Sequence, residues 1–457
     1  MTITAVTVHP AIGIARVGNS PDEFFIGPER LWAPPDPVGG FKDARSRVKR
    51  QAARFRLYAH HDDGTVTELT AADADIAWTV HVANRKAIIR NPGAEGMLID
   101  PGARTLAGPG QRATFDGGKI RFPGHSEVDV PLGEARTDED GHLVVLGGFG
   151  TSASPGNAPI TNFLDNEGWF DDVSDGPVTA HLTVRASGEE FDATGAWVIV
   201  APPKFAPQID SVITLYDLLF QLGASQAWLS GPATPSYTHD IHPILERART
   251  TSAVTNTGSA HAWPEPVYAP EARRRIFGRL RDPAGRGRGT MPLLVAGELT
   301  GIQYAVMKAW RDDDFVRDWA GPPVPSARLT PGELDRAALA ACVGDTLFPG
   351  VEAGGILGAP IADPLNYVGA ADPMRLDHTR LVPGAVTEFM PLPWQADYVH
   401  CGHEWWPVPR PNKVVQPGTN ARLDWDRDAR DFVAMTTAWH TLGFVVRRGN
   451  TYVEVRG

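Results

Sequence analysis

The sequence predicts an α+β fold, strand-rich in its N-terminal half and mainly helical in its C-terminal half, on three observations. Short alternating or apolar runs, each bounded by Gly, Pro, Asp or Asn, fill the first two hundred positions. Helical spacing of apolar residues begins only after residue 210. No internal repeat and no low-complexity tract interrupts either pattern. Segregated strands and helices of this kind point to α+β rather than to alternating βαβ units.

Taken in order, the strand candidates are TAVTVHP, RFRLYAH, WTVHVAN, HLVVLGG, VTAHLTV and AWVIVAP. Leu215 to Leu222 is a short apolar helix candidate. Residues 300–311 place Ile302, Ala305, Val306, Ala309 and Trp310 at helical spacing. Thr330, Pro331 and Glu333 form a capping box with proline at the first helical position. Leu334, Ala337, Ala338, Ala341 and Cys342 then make its buried stripe. A last helix is expected over 427–442, with Phe432, Val433, Thr436 and Trp439 on one face and Gly443 as its C′ stop. The strand NTYVEVR ends the chain. A division into 1–203, β-rich, and 204–457, mainly helical, is the expected domain organisation, with one shared core as the alternative.

Composition sets the outer limits. Of the 457 residues 42 % are hydrophobic and 21 % charged, the values of an ordinary globular protein. The 47 glycines and 40 prolines are dispersed, which predicts many ordered turns. A net charge of −11 argues against a nucleic-acid partner. Only two cysteines, Cys342 and Cys401, exclude a disulfide framework and favour a reducing compartment. The first residues lack a secretory pattern, and no apolar run reaches 18 residues, so the expectation is a soluble, cytoplasmic protein without a membrane partner. AIGIARVGNS is not GxGxxG, and no P-loop pattern occurs. The basic run RSRVKRQAARFR, alternating with apolar residues, reads as a structural element with paired arginines.

The chemistry concentrates in PWQADYVHCGHEWWPVPRP, residues 393–411. If 394–402 is helical, Asp397 and Cys401 stand on one face as an i,i+4 pair, about 5–6 Å apart at Cβ. Trp394, Tyr398, Trp405 and Trp406 would strip water from that carboxylate. Cys342 is read as a buried structural thiol, with a place lining the active site as the alternative. His400, Cys401, His403 and Glu404 could begin a zinc site, but no second ligand cluster follows, so no metal is expected. His403 and Glu404 otherwise contact substrate or solvent. His440 projects about 100° around the helix from Trp439 and so need not share a pocket with it. Arg410 and Lys413 could bind a carboxylate, although a solvated loop is the simpler reading.

AIGIARVGNSPDEFFIGPE (11–29), FKDARSRVKRQAARFRLY (41–58), WTVHVANRKA (78–87), NEGWFDDVSDGPVTAHL (166–182), ALAACVGDTLFPGVEAGG (338–355) and PWQADYVHC (393–401) occur in this order. Each resembles a signature block of the lysine ε-oxidase and glycine oxidase family. The resemblance implies a cysteine tryptophylquinone, made by joining a cysteine sulfur to an oxygenated tryptophan ring. It also implies oxidation of the primary amine of an amino acid by molecular oxygen, with release of ammonia and hydrogen peroxide, and maturation by a separate flavin-dependent enzyme. Carried over by position, the cysteine is Cys401, the aspartate of the block is Asp397, and the tryptophan is Trp439, 38 residues beyond Cys401. The chain is shorter than the characterised oxidases and its Cys401–Trp439 separation is compressed, so substrate specificity does not transfer. A homo-oligomer is compatible with all of this.

Amine oxidation needs an electrophilic carbonyl to capture the amine as a Schiff base, a base for the adjacent proton and a sink for two electrons. No unmodified side chain supplies the first or the last. Asp397 is the natural base, and Trp394, Tyr398, His403, Trp405 and Trp406 are candidate pocket walls. Two readings from other classes stand beside this one: an unmatured, non-catalytic scaffold protein with Cys401 a free thiol, and a metal-binding protein using His400, His403 and Glu404.

Overall fold

The computed structural model describes residues 2–255, 263–285, 289–292, 298–344, 360–400, 407–419 and 421–457. Its dominant feature is a thirteen-stranded, nearly closed, barrel-like sheet. Along its main path the strands run Arg104–Ala107, Ala74–Val80, Ser174–Val184, Ala196–Ala201, Ile12–Arg16, Arg50–His61, Leu143–Leu146, Glu134–Thr137 and Arg112–Thr114. Ile3–His9, Phe24–Ile26 and Val66–Leu69 pair with the long strand Arg50–His61, and Glu190–Asp192 pairs with Ser174–Val184. Most pairings are antiparallel, but Ala196–Ala201 runs parallel to Ile12–Arg16. The two end strands are joined by a side chain rather than a ladder. Arg104 Nε donates to Thr114 O at 2.9 Å, and its Nη2 donates to Asp116 O at 2.7 Å.

Each of the six strand candidates lies in or overlaps a strand of this sheet. Ser174–Val184 alternates buried and exposed residues along its second half, as a strand with one solvated face should. Ala196–Ala201 is buried on both faces, in keeping with its unbroken apolar run. Its alternate residues serve two cores: Val198 and Val200 enter the largest apolar cluster, while Trp197, Ile199 and Ala201 enter a second one with Leu215 and Leu219. The largest cluster also takes Phe205, Trp394, Trp439 and Phe444, so residues on both sides of 203 share it. The basic run behaves as expected: Arg50 pairs with Glu134, Arg54 with Glu29, and Arg56 with Glu29 and Glu68.

Helices fall mainly after residue 203. Leu215–Ser225 and Gly301–Arg311 open on the capping boxes of Thr214 and Thr300, and Pro331–Ala340 opens with Thr330 accepting from Glu333 N. None of the described helices is long and apolar enough to cross a membrane.

The last helix differs from expectation. It spans only Phe432–Ala438, followed by a 3-10 turn Trp439–Thr441. Asp431 caps it by accepting from Ala434 N at 2.8 Å, which starts the helix there instead of at 427. The buried face is Met435 and Trp439, while Val433 is 70 % exposed. Gly443 is not a left-handed stop. A Cβ there would lie 2.3 Å from Glu454 Cγ, so glycine is needed for close approach within the terminal hairpin of Phe444–Arg448 and Thr451–Val455. Glu454 is buried and cannot swing aside, because Arg427 Nη2 and Arg456 Nε hold it at 2.6 and 2.9 Å. The Gly443→Ala variant should therefore lose about 1–3 kcal/mol of stability by overpacking, read as a lower denaturant midpoint at unchanged slope.

Candidate active site

Two buried charges anchor the site. Lys86 Nζ lies 2.5 Å from Asp171 Oδ2, with both side chains fully buried. Burial pushes the Lys86 ammonium down to about 8, and the Asp171 carboxylate limits that fall. Asp171 Oδ1 accepts from Asn84 Nδ2 at 3.0 Å, and Oδ2 accepts from the backbone N–H of Trp394 at 3.1 Å. The strand Phe170–Asp171 is thereby tied to the start of the helix Trp394–His400. That helix carries Asp397.

The neighbouring aspartate braces a glycine-rich turn. Asp172 Oδ2 accepts from Phe149 N at 2.6 Å and from Thr151 N at 3.0 Å, bracketing Gly150. Gly150 has φ +73°, and a Cβ on it would fall 2.3 Å from Trp439 Cζ2 and 2.9 Å from Cη2. Only glycine lets the turn meet the benzo edge of that indole. Gln395 closes the arrangement, donating from Nε2 to Gly150 O at 3.2 Å and accepting from Ser152 Oγ at 2.6 Å. Turn, helix and indole are thus locked together.

Aromatic rings fill the space between. Trp394 meets Trp439 with centroids 5.3 Å apart and planes at 70°, and meets Tyr398 at 5.2 Å and 76°. These edge-to-face geometries are the favoured ones for aromatic pairs. Tyr398 donates its hydroxyl to Pro203 O at 2.5 Å. His440 stands edge-on to Trp439 at 5.9 Å, half-buried, and burial lowers its pKa.

Of the residues singled out in the sequence, the structure brings Trp394, Tyr398 and Trp439 together, and Asp397 lies on the same helix as Trp394 and Tyr398. Asp397 is fully buried on the helix that packs against Phe432–Ala438. Cys401, His403, Glu404, Trp405 and Trp406 lie outside the described residues, as does the side chain of His400, so the zinc reading falls there too. Cys342 is buried in the second apolar cluster, apart from the Trp394–Trp439 cluster, with Arg16 Nη2 at 3.5 Å from its sulfur.

Arg410 is not in a solvated loop. It is buried, and its Nε donates to Tyr398 O at 2.6 Å while Nη2 pairs with Asp426 at 2.5 Å. It stabilises the helix end that sequence alone gives no partner for. Lys413 opens the strand Lys413–Val415 and pairs with Asp424.

Lys86, Gly150, Asp171 and Asp172 were not singled out as site residues. A signal was there: two adjacent acids between Phe170 and Val173, and the run GGFG at 147–150. Asp172 is buried, and its Oδ1 has no hydrogen-bond partner among the described residues. Burial raises its pKa to about 7, against the pull of the Thr151 and Phe149 N–H groups. The folded protein then binds more protons than the unfolded chain between the ordinary aspartate value, about 4, and about 7. Stability should fall across that window as pH rises. In Asp172→Asn, which cannot ionise, the fall should be smaller, as read from urea midpoints at pH 5 and pH 8.

Comparison with known proteins gives these features a family. Residues 9–95 and 89–200 match the model of the L-lysine epsilon oxidase N-terminal region, and residues 295–417 match that of the L-lysine epsilon oxidase C-terminal domain. The L-lysine 6-oxidase of Marinomonas mediterranea is 24 % identical over 529 aligned positions, covering 87 % of this chain and 71 % of that protein. The solved epsilon-lysine oxidase of the same organism superposes with a TM-score of 0.80 at 19 % identity, over 99 % of this chain and 95 % of that one. The Schiff base intermediate of that organism's L-Lys epsilon-oxidase with L-Lys superposes with a TM-score of 0.79, also at 19 % identity, over 99 % and 95 % of the two chains. With both its N-terminal and C-terminal regions matched, the chain belongs to the L-lysine epsilon oxidase family.

Proposed function

We propose that this protein oxidises the primary amine of an amino acid, with Cys401 and Trp439 carrying a cysteine tryptophylquinone and Asp397 acting as the base. The observation that carries this reading is the seating of Trp439. It is buried, pressed on its benzo edge by a turn that only glycine can form, and packed against the helix of Asp397. A ring held so tightly suits a group that must react at one edge without rotating.

The residues described fit such a group. Gly150 forms a cradle that a Cβ would fill, and Trp394 and Tyr398 exclude water from the surroundings. The group would supply the electrophilic carbonyl and the two-electron sink that unmodified side chains lack. The chain's own residues do the rest. Asp397, sealed from solvent, takes the proton from the carbon bearing the amine. Lys86 and Asp171 fix the position of the helix that holds it. The net change is balanced as amine carbon–hydrogen plus oxygen plus water, giving carbonyl compound, ammonium and hydrogen peroxide.

The partners that go with this reading are an amino-acid substrate, molecular oxygen and a flavin-dependent maturation enzyme. L-lysine is the first substrate to try, because the curated relative is an L-lysine 6-oxidase; glycine is the second. Expressed with the maturation enzyme, the protein should release peroxide from one of them. The Asp397→Asn variant should lose about 10²–10⁴-fold in turnover and should also lack the cross-link, since one carboxylate adjoins both bond formation and catalysis. An Asp397→Asn protein with the mass of the mature form and full turnover would remove Asp397 from both roles.

A further inference from the structure

Among the described residues, five tryptophans are less than 2 % exposed: Trp78, Trp197, Trp310, Trp394 and Trp425. Four of them place the indole N–H on an oxygen. Trp78 donates to Gly141 O at 2.8 Å, Trp197 to Asp175 Oδ2 at 2.8 Å, Trp310 to Val267 O at 3.1 Å and Trp425 to Gly443 O at 2.8 Å. Trp394 is the exception. Its Nε1–H finds no acceptor among the described residues, although the residue is only 1 % exposed. A buried donor left unmatched is costly, and a fold that matches the other four has no reason of packing alone to leave this one.

The ring is not free to turn toward a partner. Its backbone N–H is bound to Asp171, Tyr398 abuts one side, and Trp439 meets it at 5.3 Å and 70°. The steep angle turns the edge of one indole toward the other. In an unmodified indole the benzo ring offers only carbon and hydrogen, so Trp439 has no oxygen to accept the bond. An oxygen added to that ring would be a strong acceptor.

We propose that Trp394 is a catalytic residue whose Nε1–H donates a hydrogen bond to an oxygen carried on the ring of Trp439 in the mature protein. The proposal rests on the quinone reading above and adds the residue that would orient and polarise its carbonyl. A fixed donor aimed at a carbonyl oxygen withdraws electron density from the carbonyl carbon and favours attack by an amine, with no reorganisation at the moment of reaction. The donor's alignment depends on the Lys86–Asp171 pair through the Trp394 backbone. The Asp172-braced turn holds the other indole against displacement.

Trp394→Phe tests this, because it keeps an aromatic ring and deletes the donor. The variant and the parent are each produced with the maturation enzyme, then compared by intact mass, resonance Raman spectrum and rate of reaction with a hydrazine. The expected result is a mature mass in both, a carbonyl stretch at higher frequency in Trp394→Phe, and a reaction with hydrazine slower by roughly tenfold, the weight of one hydrogen bond. A mature variant with the parent's carbonyl frequency and rate would overturn the proposal. If Trp394→Phe does not fold, the parent itself decides. After complete exchange into D₂O its carbonyl stretch should shift, and an unchanged stretch overturns the donor. A parent protein with no mass gain at all would instead count against the quinone reading, so the two failures are distinguishable.

Discussion

Lys86 and Asp171 form an ion pair with no exposure to solvent, and the site is built outward from it. Burying two charges is expensive, and their mutual attraction repays this only when other hydrogen bonds complete the shell. Here Asn84 and the Trp394 backbone do so. Such a pair adds little net stability, so its contribution is positional. It fixes where the helix Trp394–His400 begins relative to the sheet. The places of Asp397, Tyr398 and the indole of Trp394 follow from that one anchor.

The second constraint is the turn at Gly150. Asp172 holds the N–H groups on either side of it, and Gln395 holds its carbonyl, so the backbone approaches Trp439 as closely as a glycine allows. Sheet and helices therefore grip the same indole from two directions. This division of labour suits an enzyme that carries its reactive group on its own chain. A bound cofactor needs a pocket that opens, whereas a residue-derived one needs a ring that does not move. The barrel-like sheet provides the rigidity, and the C-terminal helices bring Trp394, Tyr398 and Trp439 into the apolar cluster they share with its strands.

The strands could be read from the sequence because alternation and turn residues are local signals; Ser174–Val184 and Ala196–Ala201 are plain examples. The helix at Pro331–Ala340 was equally legible from Thr330 and Pro331. What escaped depends on contacts between distant segments. Lys86 and Asp171 are 85 residues apart, and Asp171 and Trp394 are 223 apart. Nothing in either neighbourhood announces the other. Arg410 looked like a loop cation because its acceptor is the carbonyl of Tyr398, which composition cannot reveal. The face of Phe432–Ala438 was misjudged for a related reason: Asp431 resets the helix start, and Met435 and Trp439 then turn inward. In the site, Asp397 and Trp439 were legible as candidates, through family blocks and chemistry. The residues that hold them, Asp171, Asp172 and Gly150, were not, because their value lies in geometry.

The account turns on whether Trp439 is joined to Cys401, and peptide mapping answers that directly. Trypsin should cut out the segment Leu381–Lys413, which contains Cys401 and is protected at Arg410 by the following proline, and the segment Asp431–Arg447, which contains Trp439. From protein produced with its maturation enzyme, the account predicts one cross-linked species holding both peptides, heavier than their sum by two oxygens less four hydrogens. Two separate peptides of unmodified mass, from protein that nevertheless releases peroxide from an amino acid, would contradict it.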